Sequence, residues 1–162
     1  MSFTIREANT DDERQDACTL LQRVYVSDGY TTRERAEQFM VPALFEGQGA
    51  LLIAVNEDRT VIGVVLFLKG DSLLRQVAGN GEREFRMLGV DASARGRGVG
   101  QALIQACIDR ATEENAESLV LWTQPTMLAA HRLYARLAFH RAMERDVPDE
   151  RGFKRIVYVR PL

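Results

Sequence analysis

From Gly89 to Gln101 the chain reads GVDASARGRGVGQ. Glycines at 96, 98 and 100 alternate with residues that include Arg95 and Arg97 just ahead of them or between them. The stretch follows the apolar run EFRMLGV and precedes the helix-like run ALIQACIDRA, so it sits at a strand-to-helix junction. A helix start presents unpaired N–H groups and the positive end of the helix dipole, which together bind anions. Glycine lets that backbone approach phosphate oxygens with no Cβ in the way. Arginine adds paired, charge-assisted hydrogen bonds. Arg95, Gly96, Arg97, Gly98 and Gly100 therefore fit a pyrophosphate cradle, with a purely structural turn as the alternative.

Other phosphate motifs fit less well. A P-loop needs Lys and then Ser or Thr after its last glycine, whereas Gly100 leads into Gln101 and Ala102. The dinucleotide fingerprint is GxGxxG within a βαβ unit. Here the spacing is GxGxG, and the front half reads as antiparallel.

The elements that position this turn follow from hydrophobic periodicity. FTIREA (3–8) alternates like an opening strand, and Thr10 or Asp11 caps a helix over about 11–26 with Ala17, Leu20, Leu21 and Val24 on one face. A second helix spans TTRERAEQFMVPALFE, bent or divided at Pro42. ALLIAVNED (50–58) and TVIGVVLFLKG (60–70) form a hairpin. DSLLRQVAGNGERE is a loop or a short helical excursion. EFRMLGV (84–90) is a central strand, with Gly89 marking a bulge, and the helix after the glycine turn runs to about 115. SLVLWT (118–123) is a strand, LAAHRLYARLAF (128–139) a helix, HRAMERD (140–146) a weak strand, and FKRIVYVRPL a closing strand. The order predicts a single α+β domain over residues 1–162, with a mixed, mostly antiparallel twisted sheet flanked by helices.

Composition sets outer bounds. The 162 residues are 46% hydrophobic and 27% charged, enough apolar material for one sizeable core. A formal net charge of -2 is unlike a nucleic-acid coat, so no nucleic-acid partner is expected. The N-terminus lacks a basic-then-apolar leader pattern, and no apolar run is long enough to span a bilayer. The expectation is a cytoplasmic protein with no membrane partner. Cys18 and Cys107 lie in helix-like apolar patterns without ligand spacing, which predicts two buried thiols and no metal.

The glycine–arginine turn resembles the pantetheine–pyrophosphate loop of the Gcn5-related N-acetyltransferase (GNAT) superfamily. That signature is Gln or Arg, two residues, Gly, one residue, then Gly or Ala, and Arg95, Gly98 and Gly100 match it. The similarity continues through EFRMLGV, QALIQACIDRA and LWT…LYARLAF. The resemblance implies a GNAT-like acyl-CoA N-acyltransferase fold, with a V opened between the fourth and fifth strands near 84–90 and 118–123. It implies acetyl-CoA as donor and an amine, of a small molecule or a protein, as acceptor. Leu88 and Val90 would offer backbone contacts to pantetheine. Arg95, Gly96, Arg97, Gly98, Val99 and Gly100 would line the pyrophosphate, with Gln101 extending the pocket. Relatives are commonly homodimers, which the edge strands here could support.

Direct transfer needs a neutral amine, a polarised thioester and a proton for the departing thiolate. By resemblance, Tyr134 in LYARLAF is directed at the thioester sulfur as the acid. Glu84, six residues before Val90, matches a strand glutamate that serves some relatives as base, and Glu82 is a weaker competitor. Two positions depart from the pattern. Met127 replaces an asparagine that binds CoA, with Gln124 or Thr126 as substitutes, and Ala138 replaces a glycine, which would change the local turn. His131 and His140 read as structural. Trp122 would pack the cleft wall. Tyr25, Asp28 and Tyr30 could shape the acceptor pocket, with Asp28 attracting a cation. Acidic residues at 11–16 and 146–150 could draw in a cationic acceptor. The alternative function is a CoA-sensing or protein-binding module that keeps the fold and has lost catalysis.

Overall fold

A computed structural model of the protein describes residues 2–162. β1 (Phe3–Glu7) leads into α1 (Asp11–Ser27), whose start is capped by the Thr10 hydroxyl accepting from the Glu13 N–H at 3.1 Å. α2 (Arg33–Phe39) and α3 (Pro42–Phe45) follow as separate helices, because Pro42 takes the first helical position of a new one. β2 (Gly49–Asn56), β3 (Val61–Leu68) and β4 (Glu82–Val90) form an antiparallel meander. α4 (Val99–Glu113), β5 (Ser118–Thr123), α5 (Leu128–Arg136), β6 (His140–Arg141), β7 (Val147–Pro148) and β8 (Lys154–Pro161) complete the chain. Residues 69–81 form no regular helix or strand, and the 140–146 segment is a two-residue strand followed by a 3₁₀ turn at Met143–Arg145.

The sheet runs β1-β2-β3-β4-β5-β8-β6, with β7 paired to β8. Every pairing is antiparallel except β4 with β5. Alternation sends Leu51, Ile53 and Val55 of β2 toward α1, α2 and α3, and Ala50, Leu52 and Ala54 toward α4. β2 and β3 are covered on both faces, which is why they read as continuous apolar runs. The helical layers are thereby fixed on opposite sides of one sheet.

Two irregularities shape the centre. The parallel ladder of β4 and β5 covers only Glu82↔Ser118, Arg83↔Leu119 and Glu84↔Val120, and pairing stops there. In the β3–β4 ladder, Leu66 faces Arg86 and Val64 faces Gly89, so Met87 and Leu88 together oppose Val65. That is a β-bulge, and Met87 holds it in a left-handed conformation, φ 61°. The bulge lies before Gly89, not at it. Gly89 has a packing reason of its own, since a Cβ there would lie 3.1 Å from Leu21 Cδ2 of α1.

Candidate active site

A cleft of about 810 Å³ opens where β4 and β5 part. β4 contributes Phe85 through Val90, β5 contributes Trp122 and Thr123, and α5 contributes Leu133 and Tyr134. The turn before α4 closes one end, and residues 149–155 with α2 and α3 line the other.

At the turn, Gly96 and Gly98 take φ 75° and 82°, and the space where a Cβ would stand is open at both. Gly98 is the N-cap of α4 and offers no side-chain cap, so the first amides of the helix have no side-chain partner there. Arg95, Gly96, Gly98, Val99, Gly100 and Gln101 all line the cleft. Arg97 is exposed and stands outside the lining. Arg95 Nη2 donates to Asp28 Oδ2 at 2.8 Å, and its Nε donates to the Val90 carbonyl at 3.4 Å. Asp28 therefore holds a loop arginine, and the expectation that it attracts a cationic ligand gives way to that pairing. These features fit a pyrophosphate: open backbone, a helix start and a positioned guanidinium.

Leu88 and Val90 line the cleft between this turn and the bulge. The Leu88 carbonyl accepts from the Tyr25 hydroxyl at 3.1 Å. Burial pushes the Tyr25 phenol up to about 12, so it remains a donor. Tyr30 meets Tyr25 edge-on and gives its carbonyl to the Gln124 side-chain amide at 3.0 Å.

Tyr134 packs among Phe85, Phe139 and Tyr158, with ring centroids 6.1, 5.8 and 5.7 Å away. Its ring is buried in the core, yet it lines the cleft, and its hydroxyl has no hydrogen-bond partner among the described residues. Burial raises its pKa far above that of a free phenol. The phenol therefore stays protonated where it lines the cleft. The helix that carries it ends in a capped turn: Phe139 N–H bonds the Tyr134 carbonyl at 3.0 Å. Ala138 sits at φ 68° in that turn, the left-handed conformation that glycine takes most readily.

Glu84 does not face the cleft. It is 0% exposed, and its carboxylate accepts from the backbone N–H groups of Gln76, Val77 and Ala78 at 2.9–3.0 Å through Oε1. The 69–81 loop folds over the strand face and takes up the charge that a rim glutamate would offer to solvent. Glu82 is likewise engaged, by Arg145 and the Gly79 N–H. Gln76, fixed by Glu84, accepts from Trp122 Nε1 at 2.6 Å. Glu84 thus positions a cleft wall through the loop.

Neither substitute for the missing asparagine presents a free amide. Gln124 spends its NH₂ on Tyr30, and Thr126 is exposed outside the lining. Met127 Sδ accepts from the Thr123 hydroxyl at 3.3 Å. His131 bonds the Gln124 carbonyl at 3.0 Å, and His140 is exposed on β6. Both cysteines are buried away from the cleft, and burial raises their thiol pKa values, Cys18 to about 11. Among the described residues no cluster is arranged to hold a metal, and no helix is long and apolar enough to cross a membrane.

The arginines of the far end were not singled out from sequence. Arg86, Arg151 and Arg155 line the cleft around Trp122, with Arg155 4.9 Å and Arg86 5.9 Å from its ring centroid. Alternation places Arg86 on the face of Glu84, but nothing local shows that residues 151 and 155 return to the same cleft. Asp149 is 5% exposed and pairs with Arg151 and Arg155 at 2.9 Å, and Glu150 pairs with Arg35 at 3.3 Å. The acidic 146–150 stretch is therefore not a free acidic patch.

The model of the acetyltransferase (GNAT) family matches residues 11–139. A mycothiol acetyltransferase of Clavibacter sepedonicus is 30% identical over 136 residues, 82% of this chain and 41% of that protein. An N-acetylaspartate synthetase of Danio rerio is 38% identical over 63 residues, 39% of this chain and 22% of that protein. The chain thus spans less than half the length of these curated relatives. A GNAT-family acetyltransferase structure from Staphylococcus aureus superposes with a TM-score of 0.80 at 17% identity, covering 99% of both chains.

Proposed function

The chain belongs to the acetyltransferase (GNAT) family, and we propose that it transfers an acetyl group from acetyl-CoA directly to an amine. The observation that carries this reading is Tyr134: a phenol whose ring is buried and whose hydroxyl has no partner among the described residues, in the same cleft as the open glycine turn. Acetyl-CoA, when bound, supplies the activated acyl group. The Gly96–Gly100 turn and Arg95 hold its pyrophosphate, and the cleft between β4 and β5 takes the pantetheine arm. Tyr134, kept protonated by burial, delivers its proton at the phenolic oxygen to the departing thiolate. The bulge at Met87–Leu88 and the Tyr25–Leu88 bond fix the strand edge beside which the reacting groups meet.

Every carboxylate lining the cleft is already paired: Asp28 with Arg95, Asp149 with Arg151 and Arg155, Glu150 with Arg35. The amine proton accordingly leaves to water, and a nearby guanidinium favours the neutral amine by disfavouring its ammonium form. No cysteine reaches the site, which supports direct transfer over an acetyl-cysteine route.

The test is calorimetry with acetyl-CoA, followed by a broad amine panel that reads both free CoA and acetylated amine. Saturable binding with product formation is expected. Binding without acetylation of any amine would leave a CoA-binding module in place of an enzyme, and no saturable binding would remove the reading altogether.

A further inference from the structure

Beyond the turn that fits pyrophosphate, the cleft has a second charged end. Arg35, Arg86, Arg151 and Arg155 line it, against the carboxylates of Asp149 and Glu150, so two positive charges are unmatched by acids in the lining. Arg86 makes no ion pair among the described residues; its one hydrogen bond runs from Nη1 to the Leu74 carbonyl at 3.2 Å. Glu84, on the same strand face, has its charge taken up by the 76–78 amides. Arg35 Nε is buried with no hydrogen-bond partner among the described residues. Burial lowers the Arg86 pKa, the nearby Glu84 charge opposes that, and the charges of Arg155 and Arg151 add to the lowering. Arg86 is thus held under burial beside two further arginines, with Glu84 acting on it through space and no carboxylate bonded to its guanidinium, so a ligand carboxylate would find an unfilled fork there.

Position along β4 assigns this end to the acceptor. At about 3.3 Å per residue, Arg86 stands roughly 13 Å up the strand from Val90, past the bulge and away from the glycine turn. A pantetheine arm entering from that turn would reach the bulge first. We propose that the acceptor is a carboxylate-bearing amine, of the amino-acid type, whose carboxylate is held by the guanidinium fork of Arg86 beside Arg155 and Trp122. The fork matches a carboxylate in plane, with two parallel N–H···O bonds. Trp122 supports both guanidiniums through its ring and is itself fixed by Gln76. A polyamine would meet like charge here. The inference rests on the transferase reading for the word acceptor, but the subsite itself can be measured without turnover.

The experiment uses the full chain with acetyl-CoA and matched amines: L-aspartate, L-alanine, L-alaninamide and spermidine. The two acids are expected to exceed alaninamide and spermidine by at least about tenfold in kcat/KM, because a site built to bond a polar group rejects analogues lacking it. In Arg86→Gln the gap between alanine and alaninamide should close through a rise in KM, while the acetyl-CoA Kd stays unchanged. Arg86→Lys, which keeps charge without the fork, should restore part of the gap and guards against a folding defect in the glutamine variant. Equal or better use of alaninamide or spermidine overturns the proposal, as does a gap that survives Arg86→Gln. If acetyl-CoA binds and no amine is acetylated, the transferase reading fails by itself. Calorimetric titration of aspartate and alanine into the CoA-loaded protein then decides the subsite. Saturable binding lost in Arg86→Gln supports it, and no binding overturns it.

Discussion

Asp28 Oδ2 accepts from Arg95 Nη2 at 2.8 Å, joining the end of α1 to the turn before α4. The side chains are 28% and 47% exposed, so water screens much of the pair's energy. Its consequence is for binding. Asp28 occupies a guanidinium that our reading gives to the donor pyrophosphate, so the two anions compete. Asp28→Asn is expected to tighten acetyl-CoA binding about two- to fivefold and to steepen its salt dependence. The gain should vanish when Arg95→Gln is added, and calorimetry on the single and double variants checks it.

Tyr134→Phe removes one oxygen and leaves the ring packing against Phe85 and Phe139 in place. A fall of about 100-fold in kcat is expected, the lower range for a positioned acid. The acetyl-CoA Kd and the thermal midpoint should change little. Because burial keeps the phenol protonated well beyond neutral pH, Tyr134 should add no limb to the pH–rate profile below pH 10. Single-turnover kinetics on both proteins separates the chemical step from product release.

Glu84→Gln tests a structural job against a catalytic one. The glutamine keeps the shape but weakens acceptance from the Gln76, Val77 and Ala78 amides, each a bond to a charged group worth about 1.5–3 kcal/mol at most. A stability loss of about 1–3 kcal/mol is expected by denaturant titration, with kcat within about threefold of the parent. A 100-fold fall in kcat with loss of an acidic limb in the pH profile would return Glu84 to the role of base.

The sequence showed the frame well where one periodicity ruled. β5 runs Ser118–Thr123 as read, and the turn from Arg95 to Gly100 opens a helix as read. It failed where long-range closure decides. A strand glutamate looks solvent-facing until a loop eight residues away folds its amides onto it, and no local pattern announces that docking. The bulge was expected at Gly89 and lies at Met87–Leu88, because Met87, not a glycine, takes the positive φ. Arg151 and Arg155 read as turn and strand charges, since only the β5–β8 pairing returns them to Trp122. The glycine turn is a local motif and was legible; the arginine-lined end of the cleft is assembled from four separate segments and was not.

Glu13 links pH to the α1 start. Its carboxylate takes the Arg6 guanidinium and the Asn9 N–H, and these bonds, the Arg6 one first, hold its pKa at about 2. A folded pKa below the unfolded value means the stabilisation is complete above about pH 4.5 and is lost as pH falls toward 2. Both side chains keep part of their surface in water, which screens the pair, so the effect is small: Glu13→Gln should lower Tm by roughly 2 °C at pH 7 and by much less near pH 2, where about half of the carboxylate is protonated. Thermal melts of both proteins across that range check the convergence.

Ala138 carries a cost that glycine would remove. At φ 68° its Cβ crowds the following carbonyl, a penalty of about 1–2 kcal/mol for an L-residue. Glycine gives back part of that through the greater freedom of the unfolded chain, about 0.4–1 kcal/mol. Ala138→Gly should therefore stabilise by about 0.5–1 kcal/mol, read as a higher denaturant midpoint at constant slope. The side chain is exposed, so no packing is lost. The turn it caps bonds the Tyr134 carbonyl to the Phe139 N–H, a backbone bond that the side chain at 138 does not enter. Acetyl transfer should consequently stay within about twofold of the parent, because the phenol is fixed by its ring contacts and not by the residue at 138. A destabilised variant would mean that the left-handed turn is imposed on a relaxed alanine at no cost.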